Sequence, residues 1–318
     1  MNTILIFIMS FMALLWAANH LVAGASGLAM RFNLSPLITG LTIVALGTTA
    51  PEIALSILSA LKDKNDLAIG NAIGSNIANI GLVLGITILL RPTTISYATL
   101  KKAYPILIIT MLFAYSLILD GYLGKIDGCI LLISCIAVMS FFIYLASRTP
   151  QKDHFYKKFK SAASLSRSLG TNLLSIVLGL VILPISAKYI IASSGTIAQW
   201  FGMSELTTGL TIIALGTSLP ELATSVTAAF KNEEEIAIGT ILGSNIYNLL
   251  LIIAFPAIIN PAKINTIVLW RDMPVLLSLT VLLIFLNVHY KKKLSPWHGG
   301  ILILVYCSYI ISLILKAT

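Results

Sequence analysis

The sequence predicts an all-α polytopic membrane protein: ten transmembrane helices forming two inverted five-helix repeats. Three observations lead there: an apolar, charge-poor composition, ten stretches long enough to cross a bilayer, and a motif-bearing segment that occurs twice. Of 318 residues, 58% are hydrophobic and 10% charged, and the mean hydropathy is +0.96. A globular chain carries about a quarter charged residues. This composition excludes a cytosolic enzyme, a disordered chain and a secreted disulfide scaffold. The net charge of +9 does not argue for a nucleic-acid partner, because Lys and Arg of a membrane chain collect in its cytoplasmic loops.

A helix needs about 20 mostly apolar residues to span the hydrocarbon core. Stretches of that kind lie near residues 3–30, 37–61, 67–90, 102–119, 125–146, 170–195, 205–230, 236–258, 270–289 and 297–315. The first is too long for a signal-peptide core and lacks a basic leader, so it reads as a retained span. The longest connection, 147–169, carries Arg148, Lys152, Lys157, Lys158, Lys160 and Arg167. The positive-inside rule makes it cytoplasmic. Threading outward from it puts Arg31, Arg91, Lys101, Lys102, Lys231 and Lys291 to Lys293 on the same side, 14 of the 21 basic residues in all. Both termini then face outside, the loop near Asp63 is outside, and the loop near Glu233 is inside. Lys188, within the sixth stretch, is expected to snorkel to the outer surface. The expected organisation is a first repeat at 1–146, a basic linker at 147–169 too short to fold as a domain, and a second, inverted repeat at 170–318.

The repeat is explicit. Thr39 to Ser56 matches Thr208 to Ser225 with 13 identities in 18 positions at an offset of 169. The same offset superposes Gly70, Gly74, Ser75, Asn76 and Asn79 on Gly239, Gly243, Ser244, Asn245 and Asn248. Five spans per half is an odd number, so the second half enters the membrane the other way up. Inverted repeats of this kind build secondary transporters, with the site near the midplane at the repeat interface.

Ten of the twelve acidic residues fall in loops or at span ends, leaving Glu52 and Glu221 deep in apolar stretches at matching positions. A carboxylate there costs a few kcal/mol and marks a site. Pro51 and Pro220 precede them; each lacks an N–H and clashes with the carbonyl four residues back, at Gly47 and Gly216, so both helices should kink and release carbonyl oxygens. Thr48 with Glu52, Thr217 with Glu221, Ser75 with Asn79 and Ser244 with Asn248 are four apart, which places each pair on one helix face. Gly70 with Gly74, and Gly239 with Gly243, are small-residue pairs that permit close helix approach. Cys129, Cys135 and Cys307 sit in apolar runs as small hydrophobes, and His20, His154, His289 and His298 lack ligand spacing.

The donors are therefore carboxylates, hydroxyls, amides and carbonyls. Such an all-oxygen set suits hard cations. Two carboxylates neutralise one Ca2+, and the same oxygens can hold Na+; exclusive occupancy by either is the physical basis of exchange.

At these residues the sequence resembles the Ca2+/cation antiporter superfamily, in its Na+/Ca2+ exchanger branch, through paired GT(T/S)xPE and GSNxxN motifs and over nearly the whole chain. The resemblance implies ten helices, with the second, third, seventh and eighth forming the ion site. It implies Glu52 and Glu221 as central Ca2+ ligands helped by Thr48 and Thr217, carbonyls from Ala45 and Ala214, and Na+ sites lined by Thr49, Ser75, Asn79, Ser218 and Ser244. The first and sixth helices, with Gly24, Gly27, Ser193 and Ser194, would slide to give alternating access. Thr49 stands where Ser is more usual. Asn248 stands where many relatives, including those that co-transport K+, carry Asp; here the central charge would be two negatives, and K+ should not be required.

The expectation is thus an antiporter moving Ca2+ outward against Na+, with Ca2+ and Na+ as transported ions, no cofactor, lipid as surroundings and no obligatory oligomer. Rivals are H+/Ca2+ exchange, a passive cation channel, and a membrane-embedded enzyme using both Glu; the last lacks a nucleophile or metal cluster nearby.

Overall fold

The computed structural model describes residues 2–32, 34–94, 99–148, 168–200, 216–289 and 293–317. The chain is nearly all helical. We number the helices α1 (Asn2–Arg31), α2 (Pro36–Thr48), α3 (Ala50–Ala60), α4 (Asn65–Leu90), α5 (Lys101–Ile118), α6 (Lys125–Arg148), α7 (Leu169–Trp200), α8 (Leu219–Phe230), α9 (Glu234–Ile259), α10 (Val268–His289) and α11 (Pro296–Ala317). Among the described residues, eight helices are long and apolar enough to cross a membrane, and a ninth span arises if α2 and α3 are one helix bent by 46°. The first part of the expected seventh span, including Thr208 and Ala214, lies outside the described residues. So do His154, Lys152, Lys157, Lys158, Lys160, Arg167, Lys291 and Lys292.

Large apolar side chains such as Ile126, Ile133, Leu304 and Trp270 are exposed, as lipid-facing positions must be in a bundle whose backbone bonds are satisfied internally. Lys188 is exposed as well. The interior divides into two apolar clusters. One centres on α1 and α7, with Leu14, Leu21, Val22, Ile176 and Leu183. The other fills the space among α2, α4, α5, α6, α9, α10 and α11. Small residues bring α1 and α7 together: a β carbon added at Gly24 would meet Asn172 O at 2.7 Å, and one at Gly179 would meet Leu21 Cβ at 2.6 Å. Lipid tails are as apolar as Leu, so such close contact holds helices together where hydrophobic burial cannot. By the same device Gly243 of α9 lies against Leu41 O of α2, 2.5 Å from where a β carbon would stand. A β carbon at Gly70 or Gly74 would meet no atom within 4 Å among the described residues, so the close approach expected there is not seen.

The connections gather at two ends. At one, Arg91 donates to Asn232 Oδ1, the Thr94 N–H donates to Glu234 Oε2 at 2.9 Å, and β1 (Thr93–Thr94) pairs with β4 (Lys293–Leu294). At the other, Asn260 Nδ2 donates to Asp63 Oδ1 at 2.9 Å, Asn65 donates to Asn260 O, and β2 (Tyr122–Leu123) pairs with β3 (Ala262–Lys263). Asp63 and Asn232, 169 apart, close the turns after α3 and α8 with φ of 57° and 61°. That is left-handed backbone, which Asp and Asn tolerate better than most residues.

Candidate functional site

Both Pro-Glu motifs break their helices as the missing N–H requires. The chain turns at Thr49 between α2 and α3, and at Thr217 and Ser218 before α8. Pro51 and Pro220 then start new helices, so Glu52 and Glu221 fall in the first turns of α3 and α8. The partial positive charge of a helix N-terminus favours a carboxylate there. Both are buried, at 1% and 0% exposure, and lie close enough for their charges to interact.

A further irregularity shapes the other wall. α4 and α9 each contain a π-helical turn, residues 79–84 and 248–252, beginning at Asn79 and Asn248. The Asn79 N–H still reaches Ser75 O and the Asn248 N–H reaches Ser244 O, so hydroxyl and amide of each GSNxxN motif keep helical spacing, and the extra residue per turn resets the helix face only beyond them. Ser56 of α3 caps one of the loosened carbonyls, Ile252 O, at 2.8 Å.

The expected ligands that are described, Ala45, Thr48, Thr49, Glu52, Ser75, Asn79, Thr217, Ser218, Glu221, Ser244 and Asn248, are all buried. Their hydrogen bonds run both across the halves and within each half. Ser244 Oγ donates to Glu221 Oε1 at 3.2 Å, accepts from Asn79 Nδ2 at 3.3 Å and lies 3.0 Å from Thr49 Oγ1. Thr48 and Thr49 hydroxyls also reach Glu221, the carboxylate of the other half. Ala45 O accepts from Thr48 Oγ1 at 3.1 Å and from Thr49 Oγ1 at 2.7 Å. Thr217 Oγ1 donates to Asn71 Oδ1 at 3.4 Å.

Six buried oxygens on expected ligands have no hydrogen-bond partner among the described residues: Glu52 Oε2, Glu221 Oε2, Ser75 Oγ, Ser218 Oγ, Asn79 Oδ1 and Asn248 Oδ1. An unpartnered buried polar atom costs about 1–3 kcal/mol. All six belong to expected ligands, and an oxygen-seeking cation would give them a common partner. Among the described residues no group of three or more His, Cys, Asp or Glu is placed to hold a metal ion; the expected donors are two carboxylates and neutral oxygens. Sequence reasoning missed Asn76 and Asn245, buried at 0% exposure and bonded to Asn248 and Asn79; their recurrence at the repeat offset was the available signal.

The profile of the family described as sodium/calcium exchanger protein matches residues 2–146 and 171–315. The inner membrane protein YrbG of Escherichia coli is 36% identical over 299 residues, covering 93% of this chain and 91% of YrbG. The sodium/calcium exchanger MaX1 of Methanosarcina acetivorans is 29% identical over 343 residues, covering 97% of each. Among solved structures, the sodium-calcium exchanger NCX_Mj soaked with Na+ and Ca2+ superposes with a TM-score of 0.84 at 27% identity, over 98% of this chain and 99% of that one.

Proposed function

Since the chain belongs to the sodium/calcium exchanger protein family, we propose that its two oxygen-lined half-sites exchange Na+ for Ca2+ across the membrane by alternating access. It is a multi-pass membrane antiporter, not an enzyme, and Na+ and Ca2+ are its cargo. The observation that carries the reading is the set of six buried, unpartnered oxygens contributed by both halves. Ca2+ sits between Glu52 and Glu221, whose two charges balance it, with Thr48 and Thr217 as neutral ligands. Na+ uses the hydroxyl and amide oxygens of Thr49, Ser75, Asn79, Ser218, Ser244 and Asn248, with carbonyls from Ala45 and Ala214. For Ala45 O to take part, the Thr48 and Thr49 hydroxyls that now donate to it must turn toward other acceptors. Sharing of the carboxylates by both cargoes makes occupancy exclusive, and exclusive occupancy couples the fluxes.

The architecture is ten helices in two inverted repeats, 1–146 and 170–318, joined by the basic linker 147–169. The offset of 169 and the sorting of the loops near Asp63 and Asn232 to opposite ends support it. The end carrying Arg91, Lys231 and Lys293 is cytoplasmic by the positive-inside rule, which leaves both termini outside. The α1–α7 pair, with an apolar cluster of its own, is the element that slides.

The test is 45Ca2+ uptake into proteoliposomes of the purified protein. An outward Na+ gradient drives uptake; a proton gradient without Na+ does not. Replacing K+ by choline leaves the rate unchanged, because Asn248 supplies no third negative charge. Uptake driven by protons alone assigns H+/Ca2+ exchange, and a strict K+ requirement overturns the reading of Asn248.

A further inference from the structure

Asn76 and Asn245 occupy the same position in the two GSNxxN motifs, one residue past the site serines and facing the opposite repeat. Asn248 Nδ2 donates to Asn76 Oδ1 at 2.9 Å, and Asn79 Nδ2 donates to Asn245 Oδ1 at 3.1 Å. These two bonds are images of each other at the 169-residue offset. A third, from Asn76 Nδ2 to Asn245 O at 3.1 Å, ties the bracket together. All four side chains are enclosed, none more than 1% exposed.

The consequence lies at the other end of each amide. A carboxamide can bind a cation only through its oxygen, since its NH2 is a donor. Two orientations related by a half-turn compete, one presenting oxygen and the other nitrogen. With its NH2 held across the repeat interface, each of Asn79 and Asn248 keeps its Oδ1 buried and without a partner among the described residues. We infer that Asn76 and Asn245 are positioning residues of the ion site: each fixes the orientation of the opposite repeat's ligand amide so that its oxygen is presented to the cation. This rests on the reading of Asn79 and Asn248 as ion ligands. The bracket also explains how an amide stands at 248. An Asp there could not donate to Asn76 Oδ1, so the amide at 248 and the acceptor at 76 act as a pair.

The experiment is a double-mutant cycle on the full-length protein in proteoliposomes, reading the half-saturating Na+ and Ca2+ concentrations separately from the maximal rate. Outer-shell partners of metal ligands are worth about 10- to 100-fold in affinity, so Asn76→Ala raises the half-saturating concentration of at least one ion by about tenfold or more, with a smaller change in maximal rate. Because Asn76 acts through Asn248, the double variant Asn76→Ala, Asn248→Ala loses no more affinity than Asn248→Ala alone. Additive losses make Asn76 an independent packing residue and overturn the inference, as does an unchanged affinity in Asn76→Ala. The Asn245 and Asn79 pair gives the same cycle should an Asn76 variant not insert. If Asn79→Ala and Asn248→Ala both leave ion affinity unchanged, the ligand reading itself fails, which is distinguishable from a failure of the bracket alone.

Discussion

Ser244 and Ser75 hold the same place in two copies of one motif, yet their surroundings differ. Ser244 Oγ stands amid Thr49, Glu221 and Asn79, all within 3.3 Å. Ser75 Oγ, like Ser218 Oγ and Glu52 Oε2, has no partner among the described residues. The Ser244 hydroxyl is satisfied and the Ser75 hydroxyl is bare, while both Glu52 and Glu221 and both Asn79 and Asn248 keep an unpartnered oxygen among the described residues. Two near-identical sequences therefore rest in two arrangements, and an exchanger needs such a pair, since half-sites that face opposite sides in turn cannot be organised alike at any one moment. A hydrogen-bonded hydroxyl holds its geometry without a cation, whereas a bare one gains more from each ligand bond an ion makes.

The largest expected effect asks whether this difference extends to the charges. Each carboxylate keeps one unpartnered oxygen among the described residues, and either one beside a divalent ion is worth several kcal/mol at about 4 Å and an effective dielectric near 20. Glu52→Gln and Glu221→Gln should each lower Na+-driven 45Ca2+ uptake by about 100-fold or more while leaving inserted, folded protein. Wild-type uptake in either variant would show that one half alone carries Ca2+.

A smaller effect tests the comparison directly. Ser244→Ala removes the shared partner of three polar groups and should cost about 1–3 kcal/mol of stability in detergent without Na+ or Ca2+. Ser75→Ala deletes an unpartnered buried hydroxyl and should be neutral or mildly stabilising under the same conditions, although it weakens ion binding. Equal melting temperatures for the two variants would abolish the distinction between the halves.

Much of this was legible in the chain. Spans, repeat and the isolation of Glu52 and Glu221 follow from apolar run length and the cost of a buried charge. The breaks at Thr49 and before Leu219 follow from proline chemistry. The cross-half wiring was not legible. Spacing places Thr48 beside Glu52 and Ser75 beside Asn79, because an α-helix brings residues four apart together. The bend of 46° after Thr48 interrupts that geometry in the first case, and no local pattern reports which residues of one repeat the other will meet. Asn76 and Asn245 were passed over for the same reason: their partners are as far away in sequence as the repeat offset.

The halves also differ at their ends, where the smallest effect is expected. Lys64 and Glu233, 169 apart, each precede the first turn of equivalent helices, α4 and α9. Lys64 is exposed, whereas Glu233 is 8% exposed and its Oε2 has no partner among the described residues. It lies near Ser26 of α1 and the charge of Lys231, whose ammonium donates to Asn19 O at 2.9 Å. Burial pushes the Glu233 carboxyl up from 4.5 to about 7, against the opposing pull of Ser26 and Lys231. The folded protein thus keeps a proton between pH 4.5 and about 7 that the unfolded chain releases. Stability from this group is fully present below pH 4.5 and is lost as the pH rises through about 7. Across that window the melting temperature in detergent should fall, and Glu233→Gln should flatten part of the slope, while Lys64→Gln leaves it unchanged. The difference between wild type and Glu233→Gln is the quantity to read, since Glu52 and Glu221 are common to both. A slope identical in the two would place the proton elsewhere, and an equal response from Lys64→Gln would mean that the two ends are alike after all.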